Sequence, residues 1–208
     1  AMRFPAAVLV LAIALCMSAP MAPLSAQERQ NAAMPEIGIN LLRNPSFEDG
    51  GAANGVPAGW QLYGGLDDKR RLALVEPGHE SEFALDIEDG HDGEEVGISQ
   101  AVAITGGVPY VASVRTRLIK DSSYNGSYLQ LRFLPSNEFE QAPLFATDDE
   151  QYVEVAAGAM APEGTTHARI YLYTHRGPTP HIAIDDVRLT REAELPAKLG
   201  LSKPTPPT

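Results

Sequence analysis

A chain of 208 residues, 44% of them hydrophobic, is long enough for one domain with a well-packed core. Its 27 Asp and Glu outnumber 16 Lys and Arg, giving a net charge of −11 at pH 7. That balance argues against binding DNA or RNA through the phosphate backbone and against adhesion to an anionic membrane, since both need a basic surface.

Residues 1–26 have the pattern of a signal peptide. Arg3 is a minimal positive region, and Ala6 to Ala14 form an apolar run too short to span a bilayer. Leu24-Ser25-Ala26 precedes the expected cleavage point at Gln27, so the protein is expected to be exported, periplasmic or extracellular, with no membrane insertion after cleavage. A retained anchor is the alternative. Cys16 is the single cysteine and lies inside this leader, so the remainder needs neither disulfides nor thiol chemistry. Residues 27–36 are polar and small-residue rich, as in a flexible leader.

From residue 37 to 190 the chain reads as short alternating or apolar runs between Gly, Pro, Asn and Asp. The expected strands are Ile39–Leu42, Trp60–Tyr63, Arg71–Val75, Phe83–Ile87, Val96–Ile104, Tyr110–Leu118, Ser127–Leu134, Gln151–Ala157, Ala168–Thr174 and Ile182–Thr190. Turn signals such as Gly106-Gly107, Asn125-Gly126 and Pro162-Glu163-Gly164 fall between them. Many short strands at this spacing, without helical periodicity, predict an all-β sandwich or barrel. Residues 191–208 carry Pro196, Pro204, Pro206 and Pro207, the composition of a semi-rigid linker or tail. A linker would lead into an attached domain.

Three strands sort their side chains by face. Ala112, Val114, Thr116 and Leu118 oppose Ser113, Arg115 and Arg117; Leu129, Leu131 and Phe133 oppose Tyr128, Gln130 and Arg132; Ile170 and Leu172 oppose Arg169, Tyr171, Tyr173 and His175. Should these strands share one sheet, the polar sets would form one exposed face. Tyrosine rings stack on the C–H faces of sugars, amides and guanidiniums bridge hydroxyls, and arginines suit the carboxylates of uronic sugars or sulfate esters. An ordinary solvated face, with arginines paired to acids, fits the pattern equally well.

The segment Asn40-Leu41-Leu42-Arg43-Asn44-Pro45-Ser46-Phe47-Glu48, followed by Gly59-Trp60 and closing on Ile184-Asp185-Asp186-Val187-Arg188-Leu189, resembles carbohydrate-binding modules of families four, nine and twenty-two. The resemblance spans about residues 38 to 190 and implies a galactose-binding-like jelly roll of two antiparallel sheets. It also implies a non-catalytic module that binds a poly- or oligosaccharide on one sheet face and targets an attached catalytic domain to it. Similar domains serve instead as structural or cell-surface interaction modules.

Many such modules hold calcium near their first and last strands. Glu48, Asp185 and Asp186 are the hard oxygen donors that the resemblance offers for a structural Ca2+, with one of the two aspartates ligating by its side chain. The alternative is a metal-free corner in which these acids cap loops or pair with arginines. The resemblance places Trp60 more often against the core than on a ligand. Tyr63 and Tyr124 are better placed to line a cleft, and Phe139 and Phe145 could wall it.

Catalysis is not called for. The adjacent acids Asp67-Asp68, Glu94-Glu95 and Asp148-Asp149 lack the facing geometry that glycoside hydrolysis needs, and His79, His91, His167, His175 and His181 have no zinc-like spacing. A polysaccharide hydrolase or lyase remains the distant alternative.

Overall fold

The computed structural model describes residues 34–91, 93–119, 125–145, 151–175, 181–197 and 199. The expected signal peptide, most of the flexible leader, most of the Pro-rich segment, Tyr124 and Asp148-Asp149 lie outside these residues. Ten strands form two five-stranded antiparallel sheets. They are β1 (Gln61–Gly64), β2 (Arg70–Val75), β3 (Ala84–Asp89), β4 (Val96–Ala103), β5 (Pro109–Leu118), β6 (Ser127–Leu134), β7 (Phe139–Pro143), β8 (Val153–Met160), β9 (His167–Thr174) and β10 (His181–Arg191).

One sheet runs β1-β4-β9-β6-β7 and the other β2-β3-β10-β5-β8. This is the expected all-β jelly-roll sandwich. Its core is built from the inward set of each strand: Leu85, Ile87, Val114, Ile182 and Ile184 from one sheet meet Ile98, Leu129, Leu131, Phe133, Ile170 and Leu172 from the other, all buried. Each such side chain contributes about 1.5–3 kcal/mol on leaving water.

Two elements differ from expectation. Ile39–Leu42 is not a strand; it is tied to β10 by side-chain and isolated backbone bonds. Asn40 Nδ2 donates to the Val187 carbonyl (2.9 Å), while its Oδ1 accepts from the amides of Leu42 and Leu189 (3.2 and 3.1 Å). Conversely, Phe139–Pro143 is a strand rather than part of a loop. It lies at a sheet edge, buries only Ala142 and ends in proline, so it carries little apolar signal.

The most consequential correction concerns β5. Its neighbours are β10 and β8, so Arg115 and Arg117 lie on the sheet opposite the one that carries Tyr128 and Tyr171. Alternation fixes which way a side chain points relative to its own strand. It says nothing of which sheet the strand joins, and β5 and β6, consecutive in sequence, belong to different layers.

Candidate binding face

Register assembles the outer face of the β1-β4-β9-β6-β7 sheet row by row. One row is Tyr63, Gly97, Tyr173, Tyr128 and Pro143; the next is Gln61, Ser99, Tyr171, Gln130 and Gln141; the third is Ala101, Arg169, Arg132 and Phe139. The strand period of two brings together, on one surface, residues spread from position 61 to position 173.

Along β4 the outward residues are all small: Gly97, Ser99, Ala101 and Ala103. They form the floor of a trough between β1 and β9. At Gly97 the trough is filled by aromatic rings: Tyr63 packs edge-on against Tyr171 (centroids 5.0 Å) and Tyr173 (5.3 Å), and Tyr128 lies 5.8 Å from Tyr173. No side chain fits at Gly97, since a Cβ there would sit 2.1 Å from the Leu172 carbonyl oxygen and 2.8 Å from the Tyr173 Cβ. Beyond the end of β1, the edge of β4 lines a groove of about 480 Å³ with Gln100, Ala101, Val102 and Ala103, closed by Leu41, Arg43, Gly59 and Gln61.

Polar groups are ordered around the rings. Glu95 accepts from the Tyr63 hydroxyl with one oxygen (2.6 Å), and its other oxygen lies 2.6 Å from His175 Nδ1. Burial, then this carboxylate, pushes the Tyr63 hydroxyl well above its usual pKa, so it stays a donor. Gln130 is 4% exposed and fully engaged: its Nε2 donates to Gln141 Oε1 (3.3 Å) and the Tyr173 hydroxyl (3.4 Å), and its Oε1 accepts from Arg132 Nε (3.1 Å). The Arg132 guanidinium lies between two rings, 5.4 Å from the centroid of Phe139 and 5.4 Å from that of Tyr171. Arg169 stands 6.0 Å from the centroid of the same Tyr171 ring.

Of the expected face, the structure therefore gathers Tyr128, Gln130, Arg132, Arg169, Tyr171, Tyr173 and His175. Gln130 and Tyr173 are buried within it and position their neighbours, whereas Tyr128, Tyr171, Arg132 and Arg169 are half-exposed. Arg115 and Arg117 belong elsewhere: Arg115 pairs with Glu154 (3.3 Å) and Arg117 lies over the Tyr152 ring (5.2 Å). Phe139, half-exposed on β7, joins this face, while Phe145 is buried. Trp60 is buried too, tilted against Phe47 (5.8 Å) with its indole N–H donating to the Asn44 carbonyl (3.0 Å).

Glu48, Asp185 and Asp186 do not converge as a calcium set. A β-bulge between Asp185 and Arg188, with Asp186 in the left-handed region (φ 46°), flips the phase of β10 so that Ile184 and Val187 both point inward. Asp185 is fully buried: its Oδ2 accepts from the His79 amide and the Ser81 hydroxyl (both 2.6 Å), and its Oδ1 from the Asp186 amide (2.7 Å). Asp186 meets His79 Nδ1 (2.6 Å) and the Ser46 hydroxyl (3.3 Å); Glu48 accepts from the Phe83 amide (2.8 Å). In this arrangement N–H and O–H donors meet these oxygens, the loop-capping pattern of the alternative reading. Among the described residues, Asp67, His91 and Glu94 bring possible metal-ligand atoms within 4.8 Å of one another. Arg70 already bridges that group, 2.7 Å from Asp67 and 2.7 Å from Glu94, and holds the Asp67 carboxyl down to about 2.

The class this geometry defines is a jelly-roll sandwich with an open aromatic and cationic sheet face. Solved structures of this fold match the chain at low identity. A cyclase from Fischerella sp. TAU, solved with 4-(1H-indol-3-yl)butan-2-one, is 15% identical, with a TM-score of 0.57 over 76% of this chain and 100% of its own. The CBM22-1 xylan-binding domain of Paenibacillus barcinonensis Xyn10C is 15% identical, with a TM-score of 0.54 over 77% of this chain and 99% of its own. The module TmCBM61, solved with β-1,4-galactotriose, is 21% identical, with a TM-score of 0.52 over 74% and 99%. Against the longer enzymatically active domain of bacteriophage CBA120 tailspike protein 4, the chain spans only 21% of that protein. No protein-family model and no curated protein sequence matches the chain. The likeness establishes the fold.

Proposed function

We propose that the domain is a non-catalytic carbohydrate-binding module, taking a poly- or oligosaccharide on the outer face of the β1-β4-β9-β6-β7 sheet. The observation that carries this reading is the register that sets half-exposed Tyr128, Tyr171 and Phe139 beside Arg132 and Arg169, next to a groove lined by Ala101 and Ala103. Flat rings beside forked donors are what a sugar presents a use for: apolar C–H faces flanked by equatorial hydroxyls. Structural neighbours solved with galactotriose or named as xylan-binding lend the fold's precedent.

The same fold also houses a cyclase, so the absence of catalysis here is argued from the site. Acid–base hydrolysis uses two carboxylates roughly 5 to 9.5 Å apart across the scissile bond. The carboxylate beside the tyrosines, Glu95, commits its oxygens to Tyr63 and His175. Export, as the leader predicts, would put such a module where polysaccharide is met, and an attached catalytic domain would gain local substrate concentration from it.

The test is affinity electrophoresis of the protein against a panel of soluble polysaccharides, with Tyr171→Ala alongside. Retardation by at least one polymer, weakened about tenfold in the variant without a change in melting temperature, is the expected result. An absence of retardation by every polymer, or product release from any, would overturn the reading.

A further inference from the structure

The binding face is electrostatically divided. Glu95 occupies one end, tied to Tyr63 and His175. At the other, Arg132 and Arg169 are direct cross-strand partners between β6 and β9, so two guanidiniums stand side by side on one surface. Like charges placed directly opposite each other in a sheet destabilise it.

Three other arginines on the described surface meet carboxylates. Arg70 has Asp67 and Glu94, Arg71 has Glu88 and Arg115 has Glu154, each within 4.0 Å. Among the described residues no carboxylate lies that close to Arg132 or Arg169, although the chain carries 27 acids to 16 Lys and Arg. Arg169 Nε is, in addition, buried without a hydrogen-bond partner. What holds the pair is neutral: both heads lie near the Tyr171 ring, Phe139 lies beside Arg132, and the buried Gln130 amide fixes Arg132 Nε. Aromatic faces and an amide oxygen orient a guanidinium without discharging it. The forks are thus set in place with their charge still to be met.

We infer that Arg132 and Arg169 receive an anionic substituent of the bound sugar, a carboxylate of a uronic residue or a sulfate ester, so that the ligand is an acidic polysaccharide. This rests on the carbohydrate reading above and names its substrate class. The arginine row lies two residues along the strands from the Tyr171 row, about 7 Å. A sugar ring over Tyr171 therefore brings an exocyclic oxyanion to the paired forks, where bidentate charge-assisted hydrogen bonds form.

The experiment titrates the full chain with polygalacturonate, a sulfated galactan, neutral galactan and xylan, at 50 mM and 500 mM NaCl. At least one acidic polymer is expected to bind ten times tighter or more than either neutral one, and to lose most of that advantage at high salt. The two acidic polymers distinguish carboxylate from sulfate. Arg132→Gln/Arg169→Gln should abolish the preference, bringing affinity for the acidic polymer down to that for the neutral ones; Arg115→Gln, on the opposite sheet, should change nothing. Arg132→Gln alone serves if the double variant does not fold. Equal affinity for neutral and acidic polymers, or a preference that survives the arginine substitutions, would overturn the anionic assignment and leave sugar binding standing. Failure of all four polymers to bind would remove both.

Discussion

Single atoms decide two features of this protein. At Gly97 the sheet leaves no room for a Cβ, because β9 backbone lies 2.1 Å from where it would be and the rings of Tyr63 and Tyr173 close over the gap. Gly97→Ala should push β4 from β9 and cost several kcal/mol, of the order of an overpacked core site (~1–3 kcal/mol) plus lost aromatic contacts (~0.5–1.5 kcal/mol). Urea unfolding would measure it, and a stability equal to the native protein's would refute the tight-floor account. At Asp185, three hydrogen bonds converge on a buried carboxylate whose pKa burial pushes upward. Asp185→Ala leaves the His79 and Asp186 amides without their acceptor and is expected to destabilise by about 2–3 kcal/mol. The strand pattern revealed neither residue's role. A glycine in a run of alternation and an aspartate before a bulge look unremarkable until the opposing backbone is in view.

At the scale of elements, nine of the strands were legible as alternating or apolar runs, because burial on one side only writes period two into the sequence. β7 was not, since Phe139, Glu140 and Gln141 are all exposed at an edge. Pairing was not legible either: Arg115 and Arg132 carry the same local pattern, yet one finds Glu154 and the other finds Tyr171. Pairing also sets a pH response. His181, at the start of β10, lies 2.9 and 3.0 Å from the two oxygens of Asp86 on β3, and that hydrogen bond raises its pKa above the ordinary 6.5 despite partial burial. The folded state then holds its proton more tightly than the unfolded chain does. Stability from the pair is complete below pH 6.5 and is lost as pH rises through the raised value. Unfolding midpoints in urea at pH 6, 7 and 8 should fall in that order, and Asp86→Asn should flatten the decline.

For the whole molecule, the terminal motifs conveyed the fold better than the chemistry. The N-L-x-x-N opening meets the I-D-D-V-x-L close, as expected of a jelly roll, but what joins them is hydrogen bonding: Asn40 to Val187 and Leu189, Ser46 to Asp186. A chelator is accordingly expected to leave the melting temperature unchanged; a fall of several degrees on adding EDTA, reversed by Ca2+, would show that the corner rearranges around metal in solution.

Those clasps span 147 and 149 residues, and the strand they grip is the middle one of its sheet, with β3 on one side and β5 on the other. During synthesis β3 and β5 can pair with β2 and β8, but each keeps its other side unpaired until β10 arrives. The edges of β3 and β5 must wait open, and closing so many residues into a loop is entropically slow. Folding of this domain is therefore a late, nearly all-or-none event in the life of the nascent chain, and its half-made sheet is the state most in need of protection from aggregation.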